Sequence, residues 1–305
     1  MRRVECRRLA VDAAADMGTT TELALVGTGI EASLSPALHE QEGRALGLEK
    51  PLHYRILDLN TLGLRPESVG DVIAAARLLG FDGLNITHPV KQAVIPFLDS
   101  LSSEAEAIGA VNTVVFRDGE AIGHNTDWYG FAELQKRAIQ GRRFGRVVQV
   151  GAGGAGAAVA FAQLAAGLPV LDLIDVDVER AQNLADSLRQ RFATARIAAS
   201  PLDAMSDLLP RADGLVNATP IGMVAHPGSP VPRALLTEDL WVIDVIYRPL
   251  ETQLVLNAKA VGAHATGGAG MTVFQAVEAF RLFTGRKPNA DRMVQHMDRL
   301  IESGR

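Results

Sequence analysis

The chain is poor in the residues that build disulfide-bonded proteins and metal centres. It has one cysteine, Cys6, and seven histidines among its 305 residues. A single cysteine excludes an internal disulfide framework and a cage of thiolate ligands. The histidines show none of the spacings that are typical of zinc sites. We therefore predict neither a disulfide nor a bound metal.

Long apolar runs and an excess of positive charge are also missing. No apolar run reaches the roughly 18 residues that a membrane-spanning helix needs. The formal net charge is −5, so no electrostatic footprint for nucleic acid or anionic membranes is present. Residues 1–22 lack the apolar core of a secretory signal, and we expect a disordered tail there. These absences predict a cytoplasmic protein with no nucleic-acid or membrane partner.

The chain does have the length and the alternation of a two-domain enzyme. Hydrophobic residues make up 48% of it, which is ordinary for a globular protein, and its length favours about two domains. Short apolar runs alternate with helical patterns from Leu23 to the end. This order predicts an α/β fold with parallel sheets that are covered on both faces.

A glycine-rich turn between a strand and a helix carries the clearest signal. The predicted strand Val147–Val150 leads into Gly151-Ala-Gly-Gly-Ala-Gly156, and a helix follows to about Ala166. A second strand, Val170–Ile174, ends at Asp175. Glycines there permit a tight turn and the close approach of a pyrophosphate, which the N–H groups of the helix start would hold. The order favours a dinucleotide site over an unrelated glycine turn.

Asp175 predicts which dinucleotide binds. Its carboxylate can accept hydrogen bonds from the hydroxyls of the adenosine ribose. The stretch Asp175-Val-Asp177 contains no arginine, so a 2′-phosphate would meet carboxylates and no cation. This favours NAD over NADP.

Two serines stand beside a predicted helix that runs from about Ala37 to Leu46. Pro36 suits the first turn of this helix, and Ser35 suits its N-cap. Ser33 and Ser35 equally suit the binding of a small carboxylate, because a helix N-terminus favours anions. The local sequence does not choose between these two roles.

A second polar group follows the predicted strand Phe81–Ile86. Asn85, Thr87 and His88 lie where open α/β sheets bind ligands, at the carboxyl end of a strand. Lys91 stands at the start of the next predicted helix. A positive charge is unfavourable there, because the N-terminal end of the helix dipole is also positive. Taken singly, Lys91 could be a solvated surface residue, Asp127 a helix cap and Gln275 a solvent-facing side chain.

Taken together, these stretches resemble the shikimate/quinate dehydrogenase family, and they follow the family's order over almost the whole chain beyond Glu22. The matching stretches are Ser33-Leu-Ser-Pro36, Asn85-Ile-Thr-His-Pro-Val-Lys91, Gly109-Ala-Val-Asn-Thr113, Asn125-Thr-Asp127, Gly151–Gly156, Asn217-Ala-Thr-Pro220, Asp244-Val-Ile-Tyr247, and Gly270-Met271 with Gln275. Each match alone is weak, but eight in order are specific.

The resemblance implies two domains and a reaction. Residues 23–127 with 271–305 would form the substrate-binding and catalytic domain, and residues 128–270 a Rossmann-type NAD(P) domain. The active site would lie in the cleft between the domains. The implied reaction is the reversible oxidation of one ring hydroxyl of a polyhydroxylated cyclohexene or cyclohexane carboxylate.

The resemblance also implies residue roles. Lys91 and Asp127 match the catalytic pair. The residues implied in substrate binding are Ser33 and Ser35 for the carboxylate, Asn85, Thr87, Asn112 and Gln275 for the hydroxyls, and Tyr247 near the carboxylate. The residues implied in cofactor binding are Gly151, Ala152, Gly153, Gly154, Ala155, Gly156, Asp175, Asn217, Thr219, Gly270 and Met271.

Within the family, the sequence favours an NAD-dependent quinate/shikimate dehydrogenase. At the position of Asp175-Val-Asp177, NADP-using relatives have a sequence that resembles Asn-Arg-Thr. His88 and Gln92 also look like the residues of the NAD-dependent branch. The turn Gly267–Gly270 begins with glycine, whereas the commoner form of this turn begins with an acidic residue. One alternative is an NADP-dependent biosynthetic shikimate dehydrogenase, and another is a relative that acts on another cyclitol acid. A third is a non-catalytic sensor that binds a cyclitol acid and a dinucleotide. The presence of both Lys91 and Asp127 disfavours the sensor. The sequence leaves open the choice of quinate or shikimate, and of monomer or homodimer.

Overall fold

The computed structural model describes residues 19–303. The chain divides into two compact units, each with its own six-stranded sheet. The first unit comprises the residues up to Glu106, Ala110–Thr126 and the residues from Ala276 on; the second comprises Ala107–Gly109 and Asp127–Gln275.

Strands and helices alternate through both units. The strands are β1 Thr21–Gly27, β2 Leu52–Asp58, β3 Gly83–Ile86, β4 Ser100–Leu101, β5 Thr113–Arg117, β6 Glu120–His124, β7 Arg146–Val150, β8 Val170–Ile174, β9 Arg196–Ser200, β10 Gly214–Asn217, β11 Trp241–Asp244 and β12 His264–Thr266. The α-helices are α1 Ser35–Leu46, α2 Leu59–Leu62, α3 Val69–Leu78, α4 Ser103–Ile108, α5 Asp127–Ala138, α6 Gly154–Ala165, α7 Val178–Arg191, α8 Met205–Leu208, α9 Gln253–Ala260, α10 Ala269–Thr284 and α11 Ala290–Glu302.

The sheet of the first unit has the order β2-β1-β3-β5-β6-β4. Strand β5 runs against β3 and β6, whereas the other pairs are parallel. The carboxyl ends of β1, β2, β3 and β6 and the amino end of β5 therefore meet at one edge. This mostly parallel sheet agrees with the predicted architecture, and it gathers the ends of five strands where α/β sheets bind ligands.

The residues of β1 show why this sheet is covered on both faces. Leu23 and Leu25 belong to one buried cluster with Phe280 and Phe283 of α10, whereas Ala24 and Val26 belong to another that includes helix α3. Successive side chains of a strand point to opposite faces, so an unbroken apolar run buries both.

The sheet of the second unit is wholly parallel, with the order β12-β11-β10-β7-β8-β9. Counted from β7 within the unit, this is the 3-2-1-4-5-6 order of the dinucleotide-binding fold. The strand order reverses between β7 and β10, so the glycine turn after β7 lies at the switch point. The predicted Rossmann-type architecture is confirmed.

The structure differs from the sequence-based expectations in three local features. Lys91 does not begin a helix: it lies in a turn that leads to a 3₁₀ helix at Ile95–Phe97, because Pro96 has no N–H to continue an α-helix. Ser35 is the first residue of α1, and its cap position is Leu34, without a side-chain hydrogen bond. The sequence signals also predict no strand at the positions of β4, β6 and β9. Strand β9 is an edge strand in which Ile197 is the only large apolar residue.

The predicted tail overlaps the first strand. Residues 1–18, including Cys6, lie outside the described residues. Thr21 and Glu22 belong to β1, and the N–H of Thr21 donates to the carbonyl of Pro51 at 2.8 Å. Glu22 is buried and accepts a hydrogen bond from Nε of Arg55 at 3.0 Å. The ordered sheet therefore begins earlier than predicted.

Candidate active site

The loop between β1 and α1, residues 28–34, is held by a buried carboxylate at the end of β2. Oδ2 of Asp58 accepts the N–H of Ile30 at 2.7 Å, and Oδ1 accepts the N–H of Asn60 at 2.9 Å. Burial acts to raise the pKa of Asp58, but the backbone hydrogen bonds outweigh it and hold that pKa below its usual value. The ionised carboxylate therefore fixes the loop that carries Ser33.

Ser33 and Ser35 are brought together at the start of α1. Their Oγ atoms lie 3.3 Å apart, and both residues are half-buried. Nδ1 of His39 lies 2.9 Å from the carbonyl oxygen of Ser35. Burial lowers the pKa of His39 to about 4, so the ring is neutral and donates from Nδ1. Two hydroxyls beside a helix start, on a backbone fixed by His39, suit a carboxylate.

A buried polar network orients Asn85 on β3. The hydroxyl of Tyr54 donates to Oδ1 of Asn85 at 2.6 Å, and burial raises the pKa of Tyr54, which keeps it a donor. Nδ2 of Asn85 donates to Oγ1 of Thr113 at 3.0 Å and to the carbonyl of Asn112 at 3.2 Å. Both amide protons are therefore used, and Oδ1 retains one lone pair that can accept a hydroxyl proton.

Asn112 joins the neighbouring strand ends to one another. Its Oδ1 accepts the N–H of Thr126 at 2.6 Å, and its Nδ2 lies 3.0 Å from Oγ1 of Thr126. The N–H of Val111 donates to the carbonyl of Lys91 at 2.8 Å, and the N–H of Thr87 donates to the carbonyl of Val26 at 2.9 Å. The edge of the first sheet thus brings together Ser33, Ser35, Asn85, Thr87, Lys91 and Asn112.

Three of the residues predicted for catalysis or substrate binding fall in the second unit. Asp127 is buried at the start of α5, and Tyr247 is half-buried after β11. Gln275 is half-buried, and its Nε2 donates to the carbonyl of Thr272 at 3.1 Å. The pairing of Lys91 with Asp127, and the roles of Tyr247 and Gln275, stay predictions.

The glycine turn after β7 has a shape that suits a pyrophosphate. Gly151 has φ +104°, a conformation that favours glycine, and a Cβ at Gly156 would overlap the carbonyl oxygen of Gly151. A Cβ at Gly153 or Gly154 would instead meet nothing within 4 Å. The start of α6 has no side-chain cap, so its first N–H groups are left for a ligand. The turn therefore fits the group that the sequence predicted for it.

Asp175 at the end of β8 is bound on both oxygens. Oδ2 accepts the N–H of Ala152 at 2.7 Å, and Oδ1 accepts the N–H of Asp177 at 3.0 Å and Nη2 of Arg180 at 2.5 Å. Burial acts to raise the pKa of Asp175, but Arg180 and the backbone N–H groups hold it below its usual value. An ionised carboxylate thus stands beside the glycine turn.

Arg180 corrects the argument that a 2′-phosphate would meet no cation. Its guanidinium lies on Asp175, and its side chain is 46% exposed. The sequence argument considered only three residues after β8. The sequence did contain a signal for Arg180, because an Asp at position 177 is a typical helix N-cap. Asp177 caps α7 by accepting the N–H of Arg180, which places residue 180 in the first turn of α7, near the end of the strand.

The turn after β10 is shaped by Asn217. Its Oδ1 accepts the N–H of Thr219 at 3.0 Å, and its Nδ2 donates to Oδ1 of Asp244 at 3.0 Å. Thr252 donates to the other oxygen of Asp244 at 2.6 Å. Burial raises the pKa of Asp244 to about 6 despite these hydrogen bonds. Direct contacts of Asn217 and Thr219 with a cofactor stay predictions.

The unusual turn Gly267–Gly270 has a packing explanation. A Cβ at Gly268 would overlap the carbonyl oxygen of Val245, so the residue must lack a side chain. The N–H of Gly268 donates to the carbonyl of Ile246 at 2.9 Å. The turn leads into α10, where Met271 is buried. Contacts of Gly270 and Met271 with a cofactor stay predictions.

Within residues 19–303, no group of three or more His, Cys, Asp or Glu side chains is arranged to hold a metal ion. Over the same residues, no helix is both long enough and apolar enough to cross a membrane.

Two family models match this chain. The shikimate dehydrogenase substrate binding domain matches residues 25–114, and the shikimate 5′-dehydrogenase C-terminal domain matches residues 268–297. The first match covers most of the sheet edge that carries the serine pair, Asn85, Lys91 and Asn112.

Named proteins and a solved structure match nearly the whole chain. A shikimate dehydrogenase (NADP(+)) of Streptomyces avermitilis is 56% identical over 270 residues, which cover 88% of this chain and 92% of that protein. A quinate/shikimate dehydrogenase (NAD(+)) of Corynebacterium glutamicum is 45% identical over 280 residues, covering 91% and 98%. The structure of a quinate dehydrogenase from Corynebacterium glutamicum in complex with NAD superposes with a TM-score of 0.84 at 43% identity, covering 91% and 98%. The chain belongs to the shikimate dehydrogenase family of NAD(P)-dependent oxidoreductases.

Proposed function

We propose that the chain is an NAD-dependent quinate/shikimate dehydrogenase, which reversibly oxidises one ring hydroxyl of shikimate or quinate to the 3-dehydro ketone. The observation that carries the proposal is the polar edge of the first sheet. Two serine hydroxyls suit a carboxylate there, and the amide and hydroxyl groups beside them suit the hydroxyls of a ring. The names of the two relatives support the same substrate class.

The mechanism that we propose divides binding from proton transfer. Bound nicotinamide supplies the acceptor for a hydride from the carbinol carbon. As the C–H electrons leave, the O–H electrons form the carbonyl, and the hydroxyl proton passes to the pair Lys91 and Asp127. Substrate orientation is assigned to Ser33, Ser35, Asn85, Thr87, Asn112, Tyr247 and Gln275. Holding the carboxylate and hydroxyls lowers the entropic part of the barrier.

The proposed preference for NAD rests on Asp175. Its carboxylate has a lowered pKa and is anionic near neutral pH, which suits ribose hydroxyls and repels a 2′-phosphate. Arg180 is committed to that carboxylate through Nη2 and Nε. The NADP-dependent alternative keeps a specific observation in its favour, because the exposed guanidinium of Arg180 could turn from Asp175 to a phosphate, and the Streptomyces avermitilis relative is NADP-named.

The cytoplasmic location stays a prediction, as does the choice between a monomer and a homodimer.

Initial rates of reduced-cofactor formation test the proposal, with shikimate and quinate each assayed against NAD and NADP. We expect turnover of shikimate, quinate or both with NAD, and kcat/KM values with NADP at least about tenfold lower. Turnover with NADP alone would replace the NAD assignment by the biosynthetic alternative. Binding of the acid without turnover of either acid would overturn the enzymatic proposal in favour of a sensor.

Replacing Lys91 by Ala tests the proton-transfer assignment. We expect kcat to fall by a factor of about 10² or more with a smaller change in KM, because the group acts in the transition state. Steady-state kinetics with shikimate measure both values. Lys50→Ala is the matched control, since Lys50 is exposed in the same unit and should leave kcat unchanged. A near-normal kcat in Lys91→Ala removes Lys91 from the mechanism.

Replacing Arg180 by Ala distinguishes the two cofactor assignments. If Arg180 only holds Asp175, kcat/KM should fall several-fold for NAD and should not fall for NADP. If Arg180 binds a 2′-phosphate, the value for NADP should fall at least about tenfold while that for NAD changes little. Arg189→Ala is the control, because Arg189 lies on the same helix and pairs with Asp186. The second pattern would contradict the NAD proposal.

A further inference from the structure

Beneath the glycine turn lies a pair of buried glutamines that the family stretches do not include. Gln149 is the fourth residue of β7, and Gln163 lies on α6; both side chains are fully buried. Val148 and Val150 on the same strand point into an apolar cluster. Gln149 therefore points to the opposite face, towards the helix that follows the turn.

The amide of Gln149 joins the two ends of the turn. Its Nε2 donates to the carbonyl oxygen of Gly151 at 2.9 Å and to that of Gly156 at 2.8 Å. Both partners are pure acceptors, so the orientation of this amide is fixed by chemistry. Its Oε1 then faces Gln163, whose Nε2 donates to it at 2.8 Å. Oε1 of Gln163 has no hydrogen-bond partner, so the pair keeps one unsatisfied buried acceptor.

The backbone N–H groups at the start of the turn are held from the other side. The N–H of Gly151 donates to the carbonyl of Ile174 at 2.7 Å, and that of Ala152 donates to Asp175. With its carbonyl bound by Gln149, Gly151 is fixed at both of its polar groups. If the carbonyl of Gly151 were turned the other way, its oxygen would face the pyrophosphate of a dinucleotide and would repel it. The remaining N–H groups, at the start of α6, are left for the ligand.

We propose that Gln149, held by Gln163, is a positioning residue for the pyrophosphate of the dinucleotide: it keeps the carbonyls of Gly151 and Gly156 inward and so leaves the N–H groups at the start of α6 for the ligand. The inference rests on the proposed function only in taking this turn as the NAD(P) site. All three hydrogen bonds of the pair involve Gln149, and two of them end on carbonyls of the turn, so the pair fixes the shape of the turn.

The test uses the full-length double variant Gln149→Leu/Gln163→Leu. Removing both glutamines leaves no unpaired side-chain amide, but it leaves the carbonyl of Gly151 without its hydrogen bond, so the urea midpoint should fall modestly while the variant stays folded in the absence of urea. Dissociation constants are measured for NADH by fluorescence and for ADP by competition. Both should rise about fivefold to tenfold, because both ligands carry the pyrophosphate. With shikimate at saturating NAD, KM for shikimate should change less than about twofold.

Gln135→Leu is the matched control. Gln135 is a buried glutamine of α5 in the same unit, and its side chain has no hydrogen-bond partner. This variant should bind NADH and ADP as the wild type does. Equal affinities in the double variant and in Gln135→Leu would overturn the proposal, as would a weakening for NADH without one for ADP.

Two further arms keep the test decisive. If the double variant does not fold, Gln149→Met is measured in the same way, since methionine fills a similar volume without an amide. The same rise in both dissociation constants is expected there, and its absence contradicts the proposal. Failure of the proposed function is seen separately, as wild-type protein that binds NADH and ADP but turns over neither acid.

Discussion

The need to hydrogen-bond every buried polar group at the carboxyl ends of the strands governs this structure. Strands that are buried on both faces can carry a polar side chain only where a partner is available. Asn85, Gln149 and Asn217 each end a strand or lie within its last residues. Gln149 and Asn217 bind the backbone of the loop beyond their own strand, and Asn85 binds the carbonyl of Asn112, just before β5. Satisfying these groups therefore also fixes the loops that are placed to receive ligands.

The carboxylates at the strand ends extend the same constraint to charge. Asp58 and Asp175 are both buried; backbone N–H groups hold the pKa of Asp58 below its usual value, and Arg180 with backbone N–H groups does the same for Asp175. Each carboxylate thereby stabilises one loop conformation before any ligand arrives. Such preorganisation removes part of the entropic cost of binding and of orienting a reacting hydroxyl. The proposed activity therefore depends on loops that these carboxylates hold in place.

The sequence predicts the fold well because its signals are local and periodic. The glycine turn, the helix after it and the strand that leads to Asp175 all lie within Gly151–Asp175, and the structure places them as predicted. The sequence does not predict the partners of the polar residues, because these come from elsewhere in the chain. Tyr54 meets Asn85 across 31 residues, and Asp58 meets Ile30 across 28. Arg180 is the exception, since its position in the first turn of α7 was accessible to sequence reasoning.

The central claim is that the ligand loops are fixed before ligands bind, and hydrogen–deuterium exchange of the free protein tests it most directly. The amides of Ile30, Thr126 and Ala152 are bound by Asp58, Asn112 and Asp175. The account predicts that these amides exchange as slowly as those of the adjoining strands, and that adding NADH and shikimate slows them little further. Rapid exchange in the free protein, with protection only after the ligands are added, would contradict it.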